Sequence, residues 1–261
     1  MMDFTDVHIH LLPGVDDGPE TMEETLRVIG MCHDEGIRRI IATSHWDEAG
    51  PFGLALAVID PERTPRSRAD IDGLFTEMKS LAAERYPDME FYLGCEFYFT
   101  TPGLAQVKAG NIPTLAGTRY VLTEFPITAD WTFIREGLKK SLEAGFLPVL
   151  AHTERYEALL GREERIRELH RMGVHFQVNT KNFLRSKSDP RAAWAFRLLE
   201  LDLIHLVGSD AHNAYWRMPT MKSAYDKILA LAPARKQKAL RAQLETIFFE
   251  NPAKLLAGEY L

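Results

Sequence analysis

Apolar and polar positions along the chain alternate between two periods. Short apolar runs rich in β-branched and aromatic residues fall at 5–10, 39–44, 90–96, 120–124, 147–152, 175–179 and 203–209. Their length and composition predict buried strands. Between them apolar residues recur at helical spacing over 21–35, 67–85, 131–144, 162–172 and 190–200, and two further helices are predicted at 221–231 and 235–256. Thr21, followed three residues later by Glu24, reads as a capping box at the first helix start. Gly36, Gly145 and Gly173 stand where helix ends call for a left-handed residue. Alternation of strands and helices without a strand-only block predicts an α/β fold with a parallel sheet, residues 1–261 forming one domain. Two long loops rich in Pro and Gly, 46–65 and 98–117, interrupt the pattern and are natural walls for a cleft.

Composition narrows the function. The 261 residues are 46% hydrophobic and carry a net charge of −6, so a core of ordinary size is available. A positive field that would hold nucleic acid or an anionic membrane is not. No apolar run approaches the length of a membrane span. The acidic opening MMDFTDVHIH lacks the charge and apolar core of a secretion signal. Cys32 and Cys95 are too few for a disulfide framework. Together these predict a cytoplasmic protein.

The chemistry concentrates at strand ends. His8 and His10 close the first predicted strand, where alternate residues share a face and both imidazoles reach one ion. His45 follows the second strand, Glu96 ends the third, Glu124 the fourth and His152 the fifth, while Asp210 and His212 follow the seventh. In a parallel barrel all carboxyl ends meet on one rim, the rim that carries active sites. Five of the nine histidines fall there, more than chance placement explains. Imidazole and carboxylate without a thiolate cluster suit Mn, Fe or Zn as catalytic divalent ions rather than a closed structural zinc site. The donors are too many for one ion, so two or three ions are predicted, an arrangement that activates water and clamps a phosphoryl group.

The ordered segments HIHLLPGVDDGP, ATSHW, LGCEFYFT, AHTERY, GSDAHN and ENPAKLL resemble the PHP (polymerase and histidinol phosphatase) superfamily over nearly the whole chain. Within it they resemble the bacterial protein-tyrosine phosphatases of capsular and exopolysaccharide synthesis. The resemblance implies a distorted seven-stranded β/α barrel and a trinuclear centre. His8, His10, Glu96 and Asp210 would hold one ion, Glu96 and His152 with Glu124 a second, and Asp17, His45 and His212 a third. Arg155 and Arg217 match the family's phosphate-gripping arginines. The implied reaction is attack on phosphotyrosine by a metal-activated hydroxide, the implied partner a bacterial tyrosine kinase, and the resemblance is compatible with a homo-oligomer. Two alternatives stand beside this: a phosphatase for small esters of the histidinol phosphate type, and a catalytically silent metal-binding or kinase-docking module.

Several residues invite other readings. Cys32 and Arg38 satisfy the C-x5-R spacing of cysteine-dependent phosphatases, but Cys32 lies late in a helix, at the negative end of its dipole, so it is predicted to pack and Cys32→Ser to keep activity. His33, His170, His175 and His205 are predicted to pack or face solvent, Asp3 and Asp6 to solvate the strand start, and Cys95 to point away from the face of Glu96. Asp16 either hydrogen-bonds its turn or supports the third ion from outside. Trp46, where the family usually has a basic residue, and the apolar stretch 52–59 either stack on a phosphotyrosine ring or pack on the barrel.

Overall fold

Strands β1 (Phe4–Ile9), β2 (Ile37–Ala42), β3 (His45–Asp47), β4 (Gly50–Pro51), β5 (Glu90–Leu93), β6 (Glu96–Tyr98), β7 (Tyr120–Glu124), β8 (Leu147–Leu150), β9 (His175–Asn179) and β10 (Leu206–Gly208) form two ladders. One runs β1-β2-β5 and the other β10-β9-β8-β7-β6-β3-β4. Every pair is parallel except β3 with β4. The computed structural model describes residues 3–47, 49–51, 67–231 and 233–261, so the apolar stretch 52–59 lies outside the described residues.

Where a single seven-stranded barrel is expected, the described residues form two sheets, parallel but for β3 with β4, and no closed ladder. The second predicted strand breaks at Thr43–Ser44 and resumes as β3, and the third breaks at Gly94–Cys95 and resumes as β6. The break is satisfied locally, because the Glu96 N–H donates to the carbonyls of Thr43 and Ser44. A side chain at Gly94 would meet Ile41 Cγ2 at 2.9 Å and Leu115 Cδ2 at 3.0 Å, so the pinch requires glycine. On the other side β1 meets the segment after β10 through a single Ile9–Ala211 bridge and the bond from Asp210 N–H to the His8 carbonyl, 2.8 Å.

Asp6 strengthens that seam and corrects another expectation. It is fully buried, and its Oδ1 accepts from the N–H groups of His8 at 3.2 Å and Ser209 at 3.0 Å. Burial lifts its pKa to about 6 against those hydrogen bonds. A polar residue at a strand start reads as solvated unless its cross-strand partner is known.

Helices α1 (Met22–Asp34), α2 (Arg68–Arg85), α3 (Thr101–Lys108), α4 (Trp131–Glu143), α5 (Glu163–Met172), α6 (Lys181–Leu184), α7 (Pro190–Glu200), α8 (Met221–Leu231), α9 (Gln237–Glu245) and α10 (Asn251–Ala257) cover the sheets. Strands β7 and β8 alternate between two apolar clusters: Tyr120, Leu122, Leu147 and Val149 on one side, Val121 and Leu150 on the other. Both faces are buried, which explains their nearly unbroken apolar sequence.

Helix α3 sits in the predicted loop 98–117. Its Thr100 cap accepts from the Gly103 N–H, and Pro102 stands in its first turn. The same Thr-Pro-Gly chemistry serves turns and helix starts alike. The predicted closing helix 235–256 is instead divided by a π-helical turn, Thr246–Glu250, before α10, where Pro252 supplies no N–H. Thr21 caps α1 through the Glu24 N–H, but the Glu24 carboxylate accepts from Glu20 rather than from Thr21, so the box is only half formed. Among the described residues no helix is long and apolar enough to cross a membrane.

Candidate active site

All nine metal-ligand candidates converge at the carboxyl ends of the strands, around Glu96. Its Oε2 lies 3.1 Å from His8 Nε2, 3.2 Å from His10 Nε2 and 3.2 Å from His45 Nδ1, and its Oε1 lies 2.8 Å from His152 Nε2. Glu124 reaches His152 Nε2 at 3.2 Å and His45 Nδ1 at 3.4 Å. Asp17, from the loop after β1, contacts His212 Nε2 at 3.1 Å and His45 Nε2 at 3.6 Å. Asp210 Oδ1 lies 3.6 Å from His8 Nε2 and 3.8 Å from His10 Nε2.

Three groups have donor atoms mutually within 4.8 Å: His8, His10 and Asp210; His45, Glu96 and Glu124; His10, Asp17, His45 and His212. The groups share residues, with His10 and His45 each in two. His152 lies outside these groups and joins the cluster through Glu96 and Glu124.

The donor set fits divalent cations. The His8 and His10 Nε2 atoms face one another at 3.3 Å. Glu96 Oε1 and His212 Nε2 are buried without a hydrogen bond, although each lies beside an opposite partner. Nitrogen and carboxylate lone pairs directed at common points, with hydrogen bonds unmade, are the arrangement a cation satisfies.

Electrostatics point the same way. Burial opposes the charge on His10, yet Asp16 and Glu96 raise its pKa to about 9. Burial likewise opposes His152, and Glu124 and Glu96 raise it to about 9. Burial resists ionisation of Glu96, but His8, His45, His10 and His152 hold its carboxyl well below the usual range. Glu124 falls to about 2 against burial and the charge of Glu96, through His152 and His45. Such carboxylates stay ionised at neutral pH.

The ring nitrogens are aimed from behind. Asp16 Oδ2 holds His10 Nδ1 at 2.7 Å and accepts from the His45 N–H at 2.9 Å, so Asp16 supports the cluster from outside and also accepts from Gly18 in its own turn. Gln177 Oε1 lies 3.0 Å from His8 Nδ1 and accepts from the His152 N–H. Gln177 Nε2 donates to Asn179 Oδ1, and Asn179 Nδ2 donates to Asp210 Oδ2 at 2.7 Å. Partners of this kind set which imidazole nitrogen faces the site. His152 and Asp210 both hold left-handed backbone, φ 31° and 52°, a conformation non-glycine residues keep when their surroundings impose it.

Three cations border the cluster. Arg217 Nη2 donates to Asp210 Oδ1 at 2.7 Å and Nη1 to Asp17 Oδ2 at 3.2 Å. Its backbone is held by a turn in which Asn213 Oδ1 accepts from the N–H groups of Tyr215, Trp216 and Arg217. Arg155 Nη1 lies 3.6 Å from Asp210 Oδ2. Lys181, absent from the sequence reading, donates to the same oxygen at 3.1 Å. Asn179 and Lys181 stand at the carboxyl end of β9 and Gln177 in its middle, and no local pattern tied any of the three to the cluster.

The decoys separate cleanly. Cys32 is buried in α1, and burial with the charges of Asp6 and Glu35 pushes its thiol pKa well up, so a thiolate is disfavoured. Arg38 pairs instead with Asp88 at 2.9 Å. Cys95 points to the Pro113 carbonyl, 3.0 Å away. Trp46 is 5% exposed within the core, which answers to packing rather than substrate stacking. His33 faces Asp88 on the surface.

A family model described as "Capsular polysaccharide synthesis, CpsB/CapC" matches residues 4–257. "Tyrosine-protein phosphatase CpsB" of Streptococcus pneumoniae is 34% identical, the match covering 98% of this chain and 99% of that protein. "Tyrosine-protein phosphatase YwqE" of Bacillus subtilis (strain 168) is 27% identical over 81% of this chain and 78% of its own. Among solved structures, one described as belonging to the "unique metal-dependent tyrosine phosphatases" YwqE from Bacillus subtilis and CpsB from Streptococcus pneumoniae superposes with a TM-score of 0.79. It has 22% identity and covers 98% of this chain and 95% of that one. A phosphotriesterase homology protein from Escherichia coli gives a TM-score of 0.54 at 13% identity, over 97% of this chain and 98% of the other, a likeness of fold.

Proposed function

The chain belongs to the CpsB/CapC family of capsular polysaccharide synthesis, and from that membership we propose that it is a metal-dependent protein-tyrosine phosphatase working at the strand-end cluster. The observation that carries the reading is the meeting of Arg155 and Arg217 on Asp210, a residue of the same buried carboxylate–imidazole cluster. Cations able to grip a phosphate and a dense donor set thus meet at one carboxylate, which puts both beside the phosphoryl oxygens whose charge phosphoryl transfer must offset.

His8, His10, Glu96 and Asp210 are assigned to one divalent ion, Glu96, Glu124 and His152 to a second, and Asp17, His45 and His212 to a third. Manganese is the expected metal, with iron or zinc as alternatives. Such ions, when bound, supply Lewis acidity that neutralises phosphoryl oxygens and makes water acidic near neutral pH. The chain does the rest. Glu96, ionised and central, ties the rings of His8, His10, His45 and His152 to one carboxylate. Asp16 and Gln177 hold the His10 and His8 rings so that Nε2 faces inward. Arg155 and Arg217 orient the phosphoryl group and take up charge on its oxygens. A phenolate, with a pKa near 10, then leaves more readily than an alkoxide.

The two ladders are read as seven staves of a distorted barrel in one domain, with β2 and β3, and β5 and β6, each making one stave. The substrate is phosphotyrosine on a protein, a bacterial tyrosine kinase of polysaccharide synthesis being the assigned partner, and the compartment the cytoplasm. Two buried free cysteines support that compartment, and the net charge of −6 supports a partner other than nucleic acid.

The test is phosphate release from a phosphotyrosine peptide before chelation, after it, and after Mn²⁺ is restored. The expected result is loss and recovery. Activity surviving complete metal removal overturns the reading.

A further inference from the structure

Of the staves around the site, β9 contributes no metal-ligand candidate, yet its exit carries a charge. Lys181, the first residue of α6, directs Nζ to Asp210 Oδ2 at 3.1 Å. The same carboxylate receives Arg155 Nη1 at 3.6 Å on Oδ2 and Arg217 Nη2 at 2.7 Å on Oδ1. Asp210 itself is buried, whereas the side chains of Lys181, Arg155 and Arg217 are 26%, 24% and 25% exposed. All three cations thus reach inward from the mouth of the site.

One carboxylate does not neutralise three cations. Arg217 has Asp17 as a second partner, but Asp210 is the one acidic group within ion-pair distance of Lys181 and of Arg155 among the described residues. The surplus positive charge lies where a phosphoryl dianion would enter. The two guanidinium groups offer planar forks, whereas the ammonium is a compact charge with three rotatable donors, suited to an oxygen the forks leave uncovered.

We propose that Lys181 is a third phosphate-binding cation, contacting the substrate's phosphoryl oxygens alongside Arg155 and Arg217. The inference rests on the phosphatase reading of the site. Holding Asp210 in place is already the work of Asn179, which donates to the same Oδ2 at 2.7 Å, so Lys181 is not needed as a brace.

The test compares Lys181→Gln and Lys181→Arg with the unaltered metal-loaded enzyme by three measurements: kinetics on a phosphotyrosine peptide, calorimetric binding of inorganic phosphate, and metal content. The Gln variant is expected to raise KM and weaken phosphate binding, each by about tenfold as for loss of a charge-assisted contact, with metal content unchanged. The Arg variant is expected to recover most of both. Unchanged phosphate affinity in Lys181→Gln overturns the proposal, and so does a loss of bound metal that accounts for the whole effect, since that is the signature of a brace. Phosphate binding also separates the two readings. An unaltered enzyme inactive on the peptide refutes the phosphotyrosine reading, while the phosphate titration of the two variants still decides the role of Lys181.

Discussion

Two histidine clusters sit at opposite ends of the sheets and behave oppositely. At the carboxyl ends His10, His45 and His152 lie among Asp16, Glu96 and Glu124, and their pKa values rise despite burial. At the amino ends of β9 and β10, His205 packs against His170 and His175, with ring centroids 5.2 and 5.1 Å apart, and His175 packs against Tyr120 at 5.4 Å. Among the described residues no acid lies within ion-pair distance of these three rings. Burial lowers His175 to about 4, and burial with the charges of His175 and His170 lowers His205 to about 3. His205 Nδ1 accepts from the Phe176 N–H, the hydrogen bond of a neutral ring. Residue type is the same at both ends, and the companions decide whether an imidazole becomes part of a charged donor site or a piece of packing. His212 shows how local this is: it sits at the charged end, yet burial and the charge of His10 lower it to about 4.

The largest expected effect comes from removing the acid that distinguishes the two ends. Glu96→Gln preserves shape but leaves four histidines without their central anion, so bound metal and turnover should both fall, turnover by more than about 100-fold. His175→Gln should leave turnover within about twofold. Parallel measurement of metal content and peptide dephosphorylation checks the pair, and comparable losses in the two variants would erase the distinction drawn between the clusters.

Next in size is Arg155→Ala. Removing one preorganised charge from a developing oxyanion costs about 100-fold in rate at comparable sites, and metal content should not change. An unaltered rate would detach the arginine from the donor cluster and return Arg155 to the role of a surface ion-pair residue.

The smallest effect is on stability and belongs to the other end. His175 and His205 have folded-state pKa values below the unfolded value of 6.5. Between pH 6.5 and about 4 the unfolded chain therefore binds more protons, and stability is lost as pH falls through that window, by about 1.4 kcal/mol per pH unit for each site. Denaturant titrations at several pH values should show a shallower fall in the His205→Gln variant. An unchanged slope would mean that the cluster is not buried neutral.

The strand-end positions of His8, His10, Glu96, Glu124, His152 and Asp210 were legible in sequence because parallel strands with helical returns bring all their carboxyl ends to one side. So was the misdirection of Cys32, because a cysteine late in a helix sits at the negative end of its dipole, where neither a thiolate nor a phosphate is favoured. The supporting residues were not legible. Gln177 and Asn179 lie inside a strand and look like polar interruptions until the strands on either side show that they connect His8 to Asp210. Asp6 and Lys181 depend on contacts 203 and 29 residues away along the chain, and no local period encodes such distances.

Sequence alone determined the alternation of parallel strands with helices, the helical position of Cys32 and the donor types of the site, because periodicity, composition and chemical identity are local properties. Tertiary structure decided the splitting of two staves at Thr43–Ser44 and Gly94–Cys95, the burial of Trp46 and Asp6, and which histidines share acids. Those outcomes depend on which backbone passes within a few ångströms of which side chain. That is set by packing the whole sheet against its helices, and by the cost of leaving any buried polar group without a partner.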